Sequence, residues 1–385
     1  MNKKTVLIVC TEHFEFMDET HPSGIFQRDL AIAYMEAGYR VAIVSFRFDD
    51  IRKRIPQYSF SRWRDAYVVR FVLPKLFPFR FIGFRAQLFL YNLGYNFVIS
   101  KIQKKIKTID FIHAHNLQFA GYACLNIANK KSLDLIITEH STRFFNKADF
   151  NFEDEKNFIR LFENPNITAV SPKLANEINN KLSVKPVVIE NILDPLFLDN
   201  SFQLKRNKNQ FITVGGLREI KNHSMLIRSF ARLIHNKPNS FLYIIGEGDL
   251  KNELTSLINA LNVDKHVKLL PNMARSDLKS FFESSDACIV SSKFETFGVV
   301  AIEALSSGLP VISTKNGGVE SIITDSSLGQ LVDITEDAIY EALLDFDASS
   351  FDRHKLRKVA KDRYSPDIIV SKFEQLLDQS KAINL

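Results

Sequence analysis

The stretch Ser284–Ile322, SSDACIVSSKFETFGVVAIEALSSGLPVISTKNGGVESI, is the clearest indication of the fold. Its apolar runs Ala287–Ser291 and Val311–Thr314 each have the length and the β-branched content of a buried strand. The segment between them is apolar over Val299–Leu305 and predicts a helix. A strand, a helix and a strand in this order indicate two parallel strands joined by a crossover helix, which is the repeating unit of an open α/β sheet.

The same alternation recurs along the chain and restarts after the polar, irregular residues 194–210. It predicts two tandem, doubly wound, Rossmann-like domains facing a central cleft, because such sheets bind ligands at the carboxyl ends of their strands. We place the N-terminal domain at 1–192 and the C-terminal domain at 193–365. The predicted strands are Thr5–Cys10, Val41–Phe46, Asp110–His115, Leu133–His140, Ile167–Ser171, Val187–Asn191, Phe211–Gly215, Phe241–Gly246, His266–Pro271, Ala287–Ser291, Val311–Thr314 and Gln330–Asp333.

The composition is that of a folded globular protein, with 45% hydrophobic and 24% charged residues. The cysteines, Cys10, Cys124 and Cys288, are widely spaced in apolar segments and predict neither a disulfide framework nor a zinc site. No apolar stretch is long enough to predict a membrane-spanning helix. We therefore expect a cytoplasmic protein, soluble or peripherally attached to the inner face of the cell membrane.

Two glutamates, Glu295 and Glu303, are eight positions apart in the stretch Ser284–Ile322. Eight helical residues turn through about 800°, so both carboxylates would point to nearly the same face of a continuous helix. Such a pair is more often a solvated helix face than a site. Here the flanking residues are apolar, a carboxylate on a mostly buried helix needs a partner, and Gly298 permits close approach of a ligand to the backbone.

A second candidate is VGGLREIK, residues 214–221, in which a predicted strand ends in two glycines ahead of Arg218 and Lys221. Glycines, cations and a following helix N-terminus together predict a phosphate-binding loop. A surface loop with two solvated cations has the same pattern. Gly246, which opens the sequence GEGD, and the pair at 317–318 also follow strands, and tight turns explain them equally well.

In the first half, histidines cluster at the ends of predicted strands. His113 and His115 alternate along one strand and therefore share a face, and His140 ends the next strand in the sequence TEHS. A histidine is more often structural than catalytic, and three at adjacent strand ends leave both interpretations open. Gly24, in HPSGIF at 21–26, precedes a helix and is predicted either to meet an anion or to form an ordinary N-cap turn.

Asp345 and Asp347 form the D-x-D pattern seen at metal–diphosphate sites. They lie in a late polar segment, far along the chain from any glycine-rich loop. A solvated helix face is the favoured interpretation, and no other acidic–histidine cluster predicts a metal.

Net charge is +6, and residues 47–107 hold 14 basic, 14 aromatic and only 3 acidic residues. A helical stripe runs through this region, and it indicates either a core-facing helix with a solvated basic face or a surface that binds an anionic membrane. In the second case the stretch 71–84 would enter the lipid interface. Nucleic acid is not predicted, because no recognition motif is present. The stripe comprises Phe84, Leu88, Tyr91, Tyr95, Val98, Ile102 and Ile106.

Taken in order, these segments resemble the family 4 retaining glycosyltransferases, which have the GT-B fold. The resemblance covers nearly the whole chain and is densest over Phe211–Val332, in VGGLREIKN, YIIGEGDLKNEL and the stretch quoted first. PSGIF, IHAH, TEHS, VSPKL and VIENILD fit more loosely. The chain departs from the family after Asn191, where Gly and Val are common, and at 21–26, where many relatives have two glycines.

The resemblance implies a role for each candidate residue. Arg218 and Lys221 would bind the donor diphosphate, Glu303 the ribose hydroxyls and Glu295 the hydroxyls of the transferred sugar. The implied donor site also includes Gly246 and the backbone near Phe297 and Gly298, with Gly24 closing onto the diphosphate, His140 beside the sugar and the acceptor, and a C-terminal helix within 366–385 crossing back onto the N-terminal domain.

The implied activity is transfer of a sugar from a UDP- or GDP-linked donor to a lipid-linked or polysaccharide acceptor. The family retains the anomeric configuration and uses neither a metal nor another cofactor. Two alternatives stay open: another enzyme on this fold, such as a nucleotide-sugar epimerase, and a catalytically silent sugar-nucleotide-binding module. The presence of Arg218, Lys221, Glu295 and Glu303 disfavours the silent module.

Overall fold

The computed structural model describes residues 3–10, 24–50, 57–75, 83–106, 108–145, 152–162, 166–199 and 209–383. The chain forms two compact units. Unit 1 comprises Met1–Ile192 with Pro366–Leu385, and unit 2 comprises Leu193–Ser365. Both are α/β units, and the alternation of strand and helix predicted from the sequence is confirmed in each.

Over its described residues, unit 1 contains an eight-stranded sheet with the order β3-β4-β2-β1-β5-β6-β7-β8. All neighbouring strands pair in parallel except β3 and β4. The strands are β1 Thr5–Cys10, β2 Arg40–Asp50, β3 Gln57–Trp63, β4 Ala66–Lys75, β5 Phe111–His115, β6 Asp134–Glu139, β7 Asn166–Ala169 and β8 Val187–Val188. The helices are α1 Ile25–Glu36, α2 Phe84–Gln103, α3 Tyr122–Lys131, α4 Phe152–Ile159, α5 Pro172–Leu182 and, after unit 2, α12 Pro366–Ile383.

Unit 2 contains a six-stranded parallel sheet with the order β11-β10-β9-β12-β13-β14 over its described residues. The strands are β9 Gln210–Val214, β10 Phe241–Ile245, β11 Val267–Leu270, β12 Ala287–Val290, β13 Val311–Thr314 and β14 Gly329–Val332. The helices are α6 His223–Asn236, α7 Lys251–Ala260, α8 Arg275–Ser284, α9 Val299–Ser306, α10 Glu336–Leu344 and α11 Arg353–Tyr364. Short 3₁₀ turns lie at Thr142–Phe145, Pro195–Leu198, Glu219–Lys221, Val319–Ser321 and Ala348–Ser350, and a π turn at Leu117–Gly121.

The central strand β1 shows why these runs become parallel strands. All six of its residues are buried, as expected when helices cover both faces of a sheet. On one face, Val6 and Ile8 join a core cluster with Tyr34 from α1 and Phe373 from α12. The last helix of the chain therefore belongs to the core of unit 1.

The hairpin of β3 and β4 is an element that the sequence analysis did not predict. The two strands are antiparallel, with Trp63 paired to Ala66 across a two-residue turn. Arg64 in this turn has a positive φ of 48°, the left-handed conformation that tight hairpins require. Residues 71–75 of the stretch predicted to enter lipid lie in β4, in register with β2, and residues 76–82 lie outside the described residues.

The strand orders locate the functional edge of each unit. In unit 2 the chain reverses its direction of winding between the neighbouring strands β9 and β12, and in unit 1 between β1 and β5. Loops that leave neighbouring strands at such a point diverge, and ligands of open α/β sheets bind there. In unit 2 these are the loops after β9 and β12. In unit 1 they are the loop after β5 and the segment that follows β1, residues 11–23, which lies outside the described residues. Strand β6 pairs in parallel with β5, so the loop after β6 leaves the same edge of the sheet.

Candidate functional site

A salt bridge joins the loops after β9 and β12 in unit 2. Lys221 Nζ lies 2.6 Å from Glu295 Oε1, and the Ser292 hydroxyl donates to the same oxygen at 2.6 Å. The loops are also tied through Ser291 Oγ, which donates to the carbonyl of Lys221 at 2.9 Å. The Lys221 and Glu295 side chains are 27% and 16% exposed, so both charges are positioned and still reach solvent.

Glu295 and Glu303 do not share a helix, so the prediction that both carboxylates point to one face of a continuous helix is wrong. Helix α9 begins at Val299, and Glu295 lies in the loop before it. Gly298 separates the two with a φ of 107°, a left-handed conformation that interrupts any helix. A Cβ at this glycine would also lie 2.6 Å from Val319 Cγ2, so the tight turn requires glycine.

Glu303 is buried on α9, and its partner is Arg275, the first residue of α8. Arg275 Nη2 donates to Glu303 Oε1 at 2.6 Å, and Arg275 Nε lies 2.6 Å from Asp194 Oδ2. The side chains of Glu303, Arg275 and Asp194 are 5%, 8% and 13% exposed. The buried carboxylate predicted a partner, but 28 positions separate the two residues and no sequence signal identified Arg275 as that partner.

The glycine loops of unit 2 lie against one another. Gly246 has a φ of 158°, and a Cβ there would lie 2.1 Å from the carbonyl oxygen of Gly215. This contact excludes any side chain at 246. Arg218 follows the Gly215 loop, is exposed, and donates its backbone N–H to the carbonyl of Gly216 at 2.8 Å. Phe297 is buried, 1% exposed, so its backbone and not its ring is the part that a ligand would meet.

In unit 1 the three predicted histidines are brought together. The rings of His113 and His115 stack with centroids 4.8 Å apart, which confirms that they share a face. His115 Nδ1 lies 3.0 Å from His140 Nε2, and Phe26 of α1 stacks on His140 at 4.1 Å. Phe26, His115, His140 and Asn191 line the same small cavity.

His113 has structural partners. Its Nδ1 lies 3.0 Å from the Tyr34 hydroxyl and its Nε2 lies 2.7 Å from Thr138 Oγ1, which in turn lies 2.7 Å from Thr168 Oγ1. This chain of hydrogen bonds connects α1, β5, β6 and β7. The structural interpretation therefore applies to His113, whereas His140, in the loop after β6, is the histidine at the functional edge.

All three histidines are neutral at physiological pH. Burial lowers the pKa of His115 to about 3. Burial, and then the neighbouring histidines, lower the pKa of His113 and of His140 well below the ordinary value. His140 is thus a hydrogen-bonding group with an uncharged ring rather than a cationic acid.

Glu139 positions His140. Its buried carboxylate accepts backbone N–H groups from Leu117 at 2.8 Å, His140 at 3.0 Å and Ser141 at 2.6 Å. Burial raises the pKa of Glu139, while Arg143 and these N–H groups act in the opposite direction. The side chain thus fixes the loop after β6.

Two further predicted sites, Gly24 and the pair Asp345 and Asp347, have local roles at helix ends and turns. Gly24 is the N-cap of α1 with a φ of 76°, and its carbonyl accepts the N–H of Arg28 at 3.0 Å; residues 21–23 lie outside the described residues. Asp345 caps the C-terminus of α10, and Asp347 lies beyond it and accepts the N–H of Ser349 at 2.9 Å. Asp347 is therefore a turn-forming residue and not part of a helix face.

The fold and these residues describe a class of protein: two α/β units, with a lysine–glutamate pair on loops of unit 2 and a histidine cluster in unit 1. Residues 197–363 match the glycosyl transferases group 1 family and residues 24–195 match Glycosyltransferase Family 4. The chain belongs to the family 4, or group 1, glycosyltransferases.

One curated relative supports this assignment, and two solved structures share the fold. The chain is 30% identical over 273 residues to an N-acetylgalactosamine-N,N'-diacetylbacillosaminyl-diphospho-undecaprenol 4-alpha-N-acetylgalactosaminyltransferase of Campylobacter jejuni, covering 66% of this chain and 70% of that protein. Its fold is similar to a sucrose-phosphate synthase of Thermosynechococcus elongatus, with a TM-score of 0.75, 16% identity and coverage of 99% and 100%. It is also similar to HepE of Anabaena in complex with UDP and glucose, with a TM-score of 0.69, 18% identity and coverage of 98% and 100%.

Replacing Arg275 with Met is expected to destabilise unit 2 by about 3–5 kcal/mol, because Asp194 and Glu303 would keep buried charges without their cation. The matched control is Arg232→Met, which removes an exposed ion pair with Asp337 and a guanidinium over the Tyr340 ring and should cost at most about 2 kcal/mol. Chemical unfolding of the full chain, monitored by circular dichroism, measures both. Equal losses in the two variants would contradict the structural role of Arg275.

Stability is expected to fall as the pH drops below about 6.5, the ordinary histidine pKa in the unfolded chain. His113, His115, His140 and His223 have lowered pKa values in the fold, that of His223 being about 4. The unfolded chain therefore binds more protons than the folded chain. Each histidine lowers the free energy of unfolding by up to about 1.4 kcal/mol for each unit by which the pH falls. Glu139, whose pKa is raised, acts in the opposite direction.

The measurement is the unfolding midpoint between neutral and mildly acidic pH, for the native chain and for His140→Asn. The variant lacks one of these proton sites, so its midpoint should depend less steeply on pH. A midpoint that is flat over this range in the native chain would show that the histidines titrate normally in the fold.

Proposed function

We propose that this glycosyltransferase moves a sugar from a UDP- or GDP-linked donor to a lipid-linked or polysaccharide acceptor. Transfer retains the anomeric configuration and needs no metal. The observation that carries the proposal is the Lys221–Glu295 pair, a charge and its partner held where the loops after β9 and β12 diverge. The Campylobacter relative is named for a diphospho-undecaprenol-linked substrate, and the Anabaena structure was solved with UDP and glucose.

Lys221 suits the donor diphosphate. An ammonium has three N–H donors, so it can keep Glu295 and still donate to a phosphate oxygen. Arg218, exposed three residues earlier, adds a planar guanidinium that grips a phosphate through two hydrogen bonds. Together they stabilise the negative charge that develops on the departing diphosphate.

The two glutamates bind different parts of the donor in this proposal. Glu295, with Oε1 engaged by Lys221 and Ser292, would accept hydroxyls of the transferred sugar. Glu303 would accept the ribose hydroxyls, and Arg275 sets the orientation of its carboxylate. Backbone groups near Gly246, Phe297 and Gly298 would complete the donor site.

The reaction is a front-face displacement. The bond from the anomeric carbon to the diphosphate oxygen breaks, the acceptor hydroxyl bonds to the same face of that carbon, and its proton passes to the leaving phosphate. In unit 1, His140 would hydrogen-bond the transferred sugar, and Gly24 would offer its backbone to the diphosphate. A neutral imidazole fits this role, since it orients a hydroxyl without adding charge. No observation favours the epimerase or the silent binding module.

A thermal-shift screen with UDP, GDP, ADP, CMP and their sugar conjugates tests the donor site. One nucleotide class should stabilise the chain by about 2.7 kcal/mol at a hundred times its Kd. Lys221→Ala should weaken its binding by about 1.5–3 kcal/mol in titration calorimetry, the range for hydrogen bonds to charged groups. The matched control is Lys315→Ala, which removes an exposed pair with Asp333 and should leave the affinity unchanged.

Absence of a shift with every nucleotide would overturn the donor assignment. If Lys221→Ala and the native chain bound the nucleotide with equal affinity, the nucleotide site would lie elsewhere than at the loop after β9.

A further inference from the structure

Helix α2 is apolar on two opposite faces. One face is buried and includes Tyr91, Tyr95, Val98 and Ile102, so the core-facing interpretation of the predicted stripe is correct for these residues. The other face carries Phe89, Leu93 and Phe97, spaced four residues apart, which are 62%, 55% and 38% exposed. Large apolar side chains at this spacing form one continuous stripe along a helix.

Strand β3 extends this stripe. Tyr58 and Phe60 alternate along the strand and are 47% and 38% exposed. The ring of Tyr58 lies 6.3 Å from that of Phe97, centroid to centroid. Phe89, Leu93, Phe97, Tyr58 and Phe60 therefore form one exposed surface, called here the aromatic patch.

The side chains around the aromatic patch are basic. Lys101 Nζ lies over the ring of Phe97 at 5.0 Å, and Lys105 Nζ over the ring of Phe60 at 5.7 Å. Neither Phe84–Gln103 nor Gln57–Trp63 contains an acidic residue. Asp65 lies in the turn that follows β3, and the further basic residues on or beside these elements are Arg62, Arg64, Arg85, Lys104, Lys130 and Lys131.

We propose that the aromatic patch and its basic rim bind an anionic membrane surface. The apolar side chains would enter the interface between headgroups and acyl chains, while the lysines remain at headgroup level. The elements concerned differ from the expectation made from sequence: the inserted residues lie on the face of α2 opposite the predicted stripe. In the part of the chain that the structure describes, no helix is long and apolar enough to cross a membrane.

Charge and shape favour a membrane over other occupants. A second copy docked on the same patch would bring Lys101 and Lys105 against their own counterparts, which is electrostatically unfavourable. Single-stranded nucleic acid would stack on the aromatic rings, but Leu93 at the centre of the stripe offers no ring. An anionic lipid surface matches both the apolar stripe and the cationic rim. This inference is independent of the donor chemistry proposed above.

Co-sedimentation of the full chain with vesicles tests the proposal. Binding is expected to vesicles of phosphatidylglycerol and phosphatidylcholine, and much less to phosphatidylcholine alone. Lys101→Gln with Lys105→Gln should weaken binding about 25-fold, since each basic residue near an anionic surface contributes about 1 kcal/mol, or fivefold. Phe89→Ser with Leu93→Ser should weaken it at least as much, because both side chains are the most exposed of the patch.

Matched controls come from unit 2. Phe241→Ser with Leu261→Ser removes two apolar side chains that are 38% and 37% exposed, and Lys265→Gln with Lys268→Gln removes two exposed lysines. Both control pairs should bind vesicles like the native chain. Unchanged unfolding midpoints identify variants that retain the fold, and the lysine pair, being on the surface, keeps the test available if the apolar pair unfolds.

Insertion has its own readout. The chain has one tryptophan, Trp63. In a Trp63→Phe background, Leu93→Trp should show a blue-shifted emission when anionic vesicles are added.

Three results would overturn the proposal. Equal binding to neutral and anionic vesicles would show that the basic rim does not contribute to binding. No binding to either would show that the patch does not bind a membrane. Loss of self-association or of oligonucleotide binding in the patch variants, with vesicle binding absent, would assign the patch to a second copy or to nucleic acid. Nucleotide thermal shifts, measured on the same samples, report on the donor site separately.

Discussion

The salt bridge between Lys221 and Glu295 connects two loops at the carboxyl edge of the sheet of unit 2, and the proposed donor site depends on it. These loops leave neighbouring strands, β9 and β12, at the point where the winding of the sheet reverses. Without a tie, a lysine on one loop and a glutamate on the other would have no fixed relation. With it, a cation and a hydrogen-bond acceptor stay together, partly exposed, where open α/β sheets bind their ligands. The Ser291 and Ser292 hydroxyls add neutral ties at the same place.

The three charged residues Arg275, Asp194 and Glu303 are more deeply buried than Lys221 and Glu295. Arg275 lies between Asp194 and Glu303 and is almost completely buried. The charges of these three residues therefore interact in a medium that screens them weakly. In unit 1, burial instead removes charge: His115 and His140 are neutral and share a hydrogen bond, and Glu139 fixes the loop that carries His140. Unit 2 thus supplies fixed charge, whereas unit 1 supplies uncharged hydrogen-bonding groups.

The strands were predictable because parallel strands covered on both faces appear as short apolar, β-branched runs, as in β1 and β12. The hairpin of β3 and β4 was missed because β3 lies at the edge of the sheet. Tyr58 and Phe60 have the two-residue spacing of a strand, but no residue of β3 is buried, so no buried apolar run marks it. The spacing of Glu295 and Glu303 suggested one helix, but the conformation of Gly298 separates them, and spacing alone carries no information about φ. Helix α2 is apolar on two opposite faces, so only packing reveals which of its aromatic residues are exposed.

The Lys221–Glu295 pair is tested most simply by hydrolysis of a panel of UDP- and GDP-sugars, in which water takes the place of the acceptor hydroxyl and nucleoside diphosphate is released, by the native chain and by Glu295→Gln. Glutamine keeps the size of the side chain but removes the charge that holds Lys221. One sugar nucleotide should be turned over by the native chain, and the variant should lose about a hundredfold or more of that rate, since the charge at the departing diphosphate would be misplaced. Equal turnover by both proteins would show that the pair between the loops after β9 and β12 is not the donor site.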